Sequence, residues 1–63
     1  MMYNDKDLVL IEEAKELFKN HWMNQYYDLV LVGKSLKLKD NKGRIEKDYT
    51  LKNMIKYLKE SAF

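Results

Sequence analysis

The sequence predicts a small two-layer α+β domain in which a helix precedes a three-stranded antiparallel meander and a second helix follows it. Apolar residues recur at spacings of three and four near both ends of the chain, which is typical of amphipathic helices. Between them, apolar and polar residues alternate with the period of a half-buried strand. The two glycines, Gly33 and Gly43, mark the expected turns between strands.

Residues 4–26 are predicted to form the first helix. Asn4 is a suitable N-cap, and Asp5 and Asp7 place carboxylates in the first turn, where the helix dipole favours them. The end of this helix is weakly marked, at Asn24 or at the tyrosine pair that follows. The core-facing stripe, which assigns Trp22 to the core, consists of Leu10, Ile11, Ala14, Leu17, Phe18, His21, Trp22 and Tyr26.

Two strands are predicted next, because residues 28–33 form an apolar run that ends at Gly33 and residues 36–39 alternate leucine with lysine. A tight turn at Gly33-Lys34, of type II′ with glycine at its first central position, brings the leucines of both strands onto one face. A bulge at Gly33 within one long strand is the alternative, and it reduces the element order to αββα. The turn predicts that Leu31 pairs with Leu36 and Leu29 with Leu38.

Asp40-Asn41-Lys42-Gly43 is the strongest turn signal in the chain. Arg44 to Tyr49 is predicted to form a third strand with Ile45 as its inward anchor, and its polar character indicates a sheet edge. The second helix is predicted over residues 50–61, with Asp48 or Thr50 as its cap and a stripe of Leu51, Met54, Ile55 and Leu58. Both helices are expected to pack on the sheet face of Leu29, Leu31, Leu36, Leu38 and Ile45.

Length and composition restrict the class of protein. A chain of 63 residues predicts a single domain, 1–63, and without cysteine it has neither disulfides nor thiolate zinc sites. No apolar run approaches a membrane span, and the N-terminus lacks the pattern of a signal peptide, so we expect a cytoplasmic protein. In size and in its excess of lysine over arginine, the chain is similar to short phage or mobile-element reading frames.

Charge is distributed unevenly along the chain. Residues 1–32 carry three basic and six acidic side chains, a net charge of −3, whereas residues 33–63 carry nine basic and four acidic ones, a net charge of +5. Such an asymmetry is typical of a surface for a polyanion, although lysine is also the usual residue of a solvated strand face or sheet edge. The predicted nucleic-acid contacts are Lys34, Lys37, Lys39, Lys42, Arg44, Lys47, Lys52, Lys56 and Lys59.

The aromatic residues indicate a second kind of surface, because there are more of them than so small a core can bury. Two of them, Tyr49 and Tyr57, also offer stacking surface to single strands. We expect a homo-oligomer, since association offsets a small core. The predicted protein-interface residues are Tyr26, Tyr27, Tyr49, Tyr57 and Phe63.

No catalytic residue, metal site, cofactor or small-molecule substrate is predicted. His21 is the single histidine and is interpreted as a packing residue, because no second histidine or cysteine accompanies it. The sequence therefore favours a small non-enzymatic binding protein that contacts nucleic acid through a basic hairpin and the C-terminal helix. The alternatives are an inhibitor or adaptor that binds a host nucleic-acid-handling protein, and a structural homodimer.

Overall fold

The computed structural model describes residues 3–61, and it confirms the predicted order of helix, three antiparallel strands and helix. No helix within these residues is both long and apolar enough to cross a membrane. A short 3₁₀ turn, Trp22–Gln25, is an addition to the predicted elements. The elements are α1 (Asp5–Lys19), β1 (Asp28–Val32), β2 (Ser35–Lys39), β3 (Ile45–Thr50) and α2 (Leu51–Glu60).

Helix α1 begins as predicted, with the Asn4 side chain accepting from the Asp7 amide at 2.8 Å, but it ends at Lys19 rather than near residue 26. The Asn24 side-chain amide donates to the carbonyls of Phe18 and Lys19 and so satisfies the open end of the helix. The helical period stops there, and the assignment of Trp22 to the core is wrong: its side chain is 45% exposed.

The turn at Gly33-Lys34 is confirmed, and the bulge at Gly33 is not observed. Gly33, the first central residue of the turn, has φ +60°, and Lys34, the second, does not have a positive φ. This combination is the pattern of a type II′ turn. The sheet order is β1-β2-β3, so β2 is central and β3 is an edge as predicted. The register pairs Leu31 with Leu36 and Leu29 with Leu38, also as predicted.

Ile45 does not act as an inward anchor, and a β-bulge is the reason. Leu38 pairs with Lys47 but Lys39 pairs with Ile45, so Glu46 is an extra residue in β3. One extra residue reverses the side-chain alternation before it, which moves Ile45 to the face opposite Leu38. Its side chain is 45% exposed there.

Both helices lie on the sheet face that carries Leu36 and Leu38, whose side chains are 1% exposed. The helices run in the same direction, since Leu10 and Leu51 line one groove near their starts while Glu13 and Lys59 pair near the end of α2. Thr50 caps α2 by accepting from the Asn53 amide. The buried core consists of Ile11, Ala14, Met23, Leu36, Leu38, Leu51, Met54, Ile55 and Leu58.

Because of the bulge, Leu38 in β2 and Ile45 in β3 should contribute very differently to the free energy of unfolding. We expect Leu38→Ala to lower the free energy of unfolding by about 2–5 kcal/mol, because it opens a cavity in the core. Ile45→Ala should cost less than about 1 kcal/mol, because its side chain faces solvent. Urea denaturation followed by circular dichroism measures both values, and equal losses would contradict the observed register.

Candidate nucleic-acid interface

The nine basic residues predicted to bind nucleic acid are spread over several surfaces. Lys34 lies in the β1–β2 turn, and Lys42 and Arg44 lie in the β2–β3 turn at the opposite end of the sheet. Along β2 and β3, Lys37 faces away from the helices whereas Lys47 lies on the helix side of the sheet. Lys39 is the last residue of β2, on the same face as Lys37, and Lys52, Lys56 and Lys59 are exposed on α2.

The two lysines of β2 lie among carboxylates on the outer face of the sheet. The Lys37 ammonium forms an ion pair with Asp48, its cross-strand neighbour in β3. Lys39 pairs in register with Asp28 of β1 on one side and with Ile45 on the other. Because each lysine has an acidic neighbour across a strand, this face has little net positive charge to offer a phosphate chain.

Asp40 organises the β2–β3 turn. Its Oδ1 accepts from the amides of Lys42 and Arg44, both at 2.9 Å, and its Oδ2 is 3.3 Å from Arg44 Nε. The Arg44 amide above all, and then the Lys42 amide and the Arg44 guanidinium, hold the pKa of the Asp40 carboxyl below its ordinary value of 3.8, although partial desolvation opposes them. Only the backbone amide of Lys42 is used in the turn, and its side chain is exposed.

Two further lysines join elements by ion pairs. The Lys34 ammonium is 3.3 Å from the buried Oδ2 of Asp7, which connects the β1–β2 turn to the first turn of α1. Lys59 is 3.2 Å from Glu13 and connects the two helices. Part of the opposed charge of the two chain halves is therefore paired within the fold.

The side of the molecule formed by β3 and α2 brings a cation and two aromatic rings together. The ring centroids of Tyr49 and Tyr57 are 5.3 Å apart, and Lys47 Nζ is 5.7 Å from the Tyr57 centroid. Lys56 is also exposed and has no ion pair among residues 3–61, but it projects about 100° around α2 from Tyr57, on the side of Lys52 and Lys59. We call Lys47, Tyr49 and Tyr57 the β3–α2 surface. It joins a lysine that the sequence assigned to nucleic-acid contact with two tyrosines that it assigned both to a protein interface and to stacking on single strands.

The other predicted interface aromatics are separate from this surface. Tyr26 is 61% exposed and packs edge-on against Trp22 at 6.2 Å between centroids, whereas Tyr27 is half-buried against the core. Phe63 lies outside the described residues. Sequence periodicity missed Trp22 as a surface residue, and the two asparagines that flank it, Asn20 and Asn24, were the available signal that the helix stops.

His21 is buried, as its interpretation as a packing residue requires, and both ring nitrogens are used. Nδ1 accepts from the Met23 amide at 3.1 Å and caps the 3₁₀ turn. Ser61 donates its hydroxyl hydrogen to the Tyr57 carbonyl at 2.6 Å, so His21 Nε2 is the donor to Ser61 Oγ at 3.3 Å. Together with the bond from Trp22 Nε1 to the Ser61 carbonyl, these contacts fasten the end of α2 to the 3₁₀ turn.

Within residues 3–61 there is no group of His, Asp and Glu side chains with the geometry of a metal site. Comparisons with protein-family models, with curated proteins and with solved structures gave no match to this chain. Any functional assignment therefore depends on the arrangement of its own side chains.

The two bonds of His21 can be separated by substitution. His21→Ala removes both and should lower the free energy of unfolding by about 2 kcal/mol or more, because it leaves buried polar groups without partners. His21→Asn retains a side-chain oxygen for the Met23 amide, and it should recover roughly 1 kcal/mol of that loss. Urea denaturation monitored by Trp22 fluorescence measures the difference. Equal losses for both variants would contradict the capping role.

The Asp40 turn should depend on pH. Because the folded-state pKa of Asp40 is lowered, its contribution to stability is present above the ordinary value of 3.8 and is lost as pH falls through the folded-state pKa. The amide resonances of Lys42 and Arg44 should therefore shift together with an apparent pKa below 3.8. Asp40→Asn retains an oxygen acceptor but should abolish this titration, and its persistence in that variant would assign the titration to another carboxyl.

Proposed function

We propose that this chain is a small non-enzymatic protein that binds single-stranded nucleic acid through the β3–α2 surface, with the β2–β3 turn extending the contact. The observation that carries the proposal is the cluster in which Tyr49 and Tyr57 touch while Lys47 lies over the Tyr57 ring. Proteins that bind single strands without sequence preference combine aromatic rings for base stacking with cations that follow the phosphates.

The charges near this surface favour a phosphate chain. Lys47 has no ion pair among the described residues, and neither does Lys42 in the adjacent turn. By contrast, Lys34, Lys37 and Lys59 each form an ion pair with a carboxylate. A lysine that already has a carboxylate partner must lose it to bind phosphate, so the unpaired lysines are the better contacts.

Tyr49 and Tyr57 lie on either side of the junction between β3 and α2. Tyr49 is the penultimate residue of β3, and Tyr57 lies on α2 after the chain has turned back along the sheet. Their half-burial fixes their orientation in advance, which lowers the entropic cost of stacking on a base. No arginine pair for reading base edges is present on this surface, so little sequence selectivity is expected.

Salt dependence tests the electrostatic part of the proposal. Binding of a fluorescent oligonucleotide should weaken steeply between about 50 and 200 mM salt, with a logarithmic slope near −3 for about four phosphate contacts. Lys47→Glu should weaken binding and reduce that slope by about one or more. Lys15→Glu makes the same charge change on exposed α1, away from the β3–α2 surface, and is the matched control.

The contribution of base stacking on Tyr57 is tested separately and has its own control variant. Tyr57→Leu should weaken single-strand binding about tenfold, the effect of one lost stacking contact, with the salt slope nearly unchanged. Tyr57→Phe keeps the ring and should bind almost as the natural chain does. Absence of binding at low salt, or equal effects of Lys47→Glu and Lys15→Glu, would overturn the proposal.

The alternative of a protein partner is supported by one different observation, the exposed pair of Trp22 and Tyr26. Exposed tryptophan and tyrosine side chains are frequent anchors of protein interfaces. The same assay separates the two functions, because Tyr26→Ser should leave oligonucleotide binding unchanged if the β3–α2 surface is the site. A protein that binds no oligonucleotide but loses a partner on Tyr26→Ser would have the alternative function.

A further inference from the structure

The free edge of β1 has unused backbone hydrogen-bonding groups. In a two-residue hairpin the residues that flank the turn, here Val32 and Ser35, form a hydrogen-bonded pair, and such pairs alternate along the ladder. The amides and carbonyls of Leu29 and Leu31 consequently point away from β2. No turn, loop or side chain among residues 3–61 bonds to them.

The two edges of the sheet differ in how they are protected. Strand β3 carries the bulge at Glu46 and the charged residues Lys47 and Asp48, which are usual devices against pairing with another strand. Strand β1 has no bulge in its register, and after Asp28 it consists only of leucine and valine. Its sequence and backbone are those of a strand that accepts another strand.

We infer that β1 pairs with β1 of a second copy, in antiparallel orientation about a two-fold axis at Val30, to give a continuous six-stranded sheet. Leu29, Val30 and Leu31 form a palindrome, so this axis places leucine opposite leucine and valine opposite valine. The outward groups of Leu29 then exchange hydrogen bonds with those of Leu31 in the second copy. The same axis places Asp28 opposite Val32 of the second copy, so no like charges meet along the paired strands.

Side-chain burial supports the same arrangement. Leu29 and Leu31 lie on the helix-facing side of the sheet but remain half-buried, whereas their partners in β2, Leu38 and Leu36, are fully buried. A second β1 beside them would cover this rim of the core. The dimer is independent of the proposed function, because the β3–α2 surface lies at the other edge of the sheet.

Substitution at the two-fold axis tests the dimer. Val30 lies on the outer face opposite Lys37, so Val30→Glu introduces a carboxylate that is acceptable within one chain. In the dimer, two such carboxylates would meet across a close pair, at roughly 4.5 Å between Cα atoms. We expect the natural chain to sediment as a dimer, Val30→Glu as a folded monomer with an unchanged circular dichroism spectrum, and Val30→Thr as a dimer.

Mixing provides the complementary experiment. Val30→Lys alone should also be monomeric, while an equimolar mixture of Val30→Glu and Val30→Lys should recover the dimer, because opposite charges then meet at the axis. A natural chain that is monomeric throughout, or a dimer that Val30→Glu leaves intact, would overturn the inference. Failure of oligonucleotide binding would leave this result unaffected.

Amide hydrogen exchange tests the backbone pairing directly, in the natural chain and without any substitution. In the natural chain, the amides of Leu29 and Leu31 should become protected as protein concentration rises, while the amide of Val30, already bonded within the hairpin, should change much less. If Leu29 and Leu31 exchange equally fast at low and high concentration, β1 does not pair with another copy.

Discussion

The position of β2 between its two neighbours is the constraint on which the rest of the structure depends. Leu36 and Leu38 supply the fully buried centre of the sheet face, and both helices cover them. The two-residue turn at Gly33 sets the register of β1 so that its leucines join this face. A shift of one residue at that turn would send the leucines of β1 to the solvent side and leave a core too small for two helices.

The β2–β3 turn is followed by a bulge, which decides how the side chains of β3 face. Asp40 fixes the turn through two backbone amides and Arg44, and the extra residue Glu46 then places Ile45 and Lys47 on opposite faces of β3. Lys47 and Tyr49 come to lie on the helix side, beside Tyr57 of α2. Without the bulge Ile45 would also lie on that side, and β3 would be a more conventional half-buried strand.

The division of charge along the sequence is only partly visible on the folded surface. Ion pairs of Lys34 with Asp7 and of Lys59 with Glu13 join the basic half of the chain to the acidic helix α1. A pair that is exposed on both sides, such as Lys59 with Glu13, contributes little to stability, commonly less than about 1 kcal/mol. The two ion pairs also occupy Lys34 and Lys59 with carboxylates, while Lys47 of the β3–α2 surface and Lys42 of the adjacent turn have no ion pair among residues 3–61. The two sheet edges also become distinct, one charged and bulged and the other apolar.

The sequence by itself predicted the two terminal helices and the cap at Asn4, because these depend on residues close together in the chain. It favoured a turn at Gly33, with the register that follows from it, over a bulge, and it left Asp48 and Thr50 as alternative caps of α2. It did not determine where α1 ends, since Asn24 competes for the helix carbonyls only when the chain folds back on them. Nor did it determine the direction of Ile45, which is a property of strand pairing. Of the candidate site, the sequence supplied the residue types, but only tertiary structure decided which lysines meet carboxylates and which lie beside tyrosines, because those distances join residues far apart in the chain.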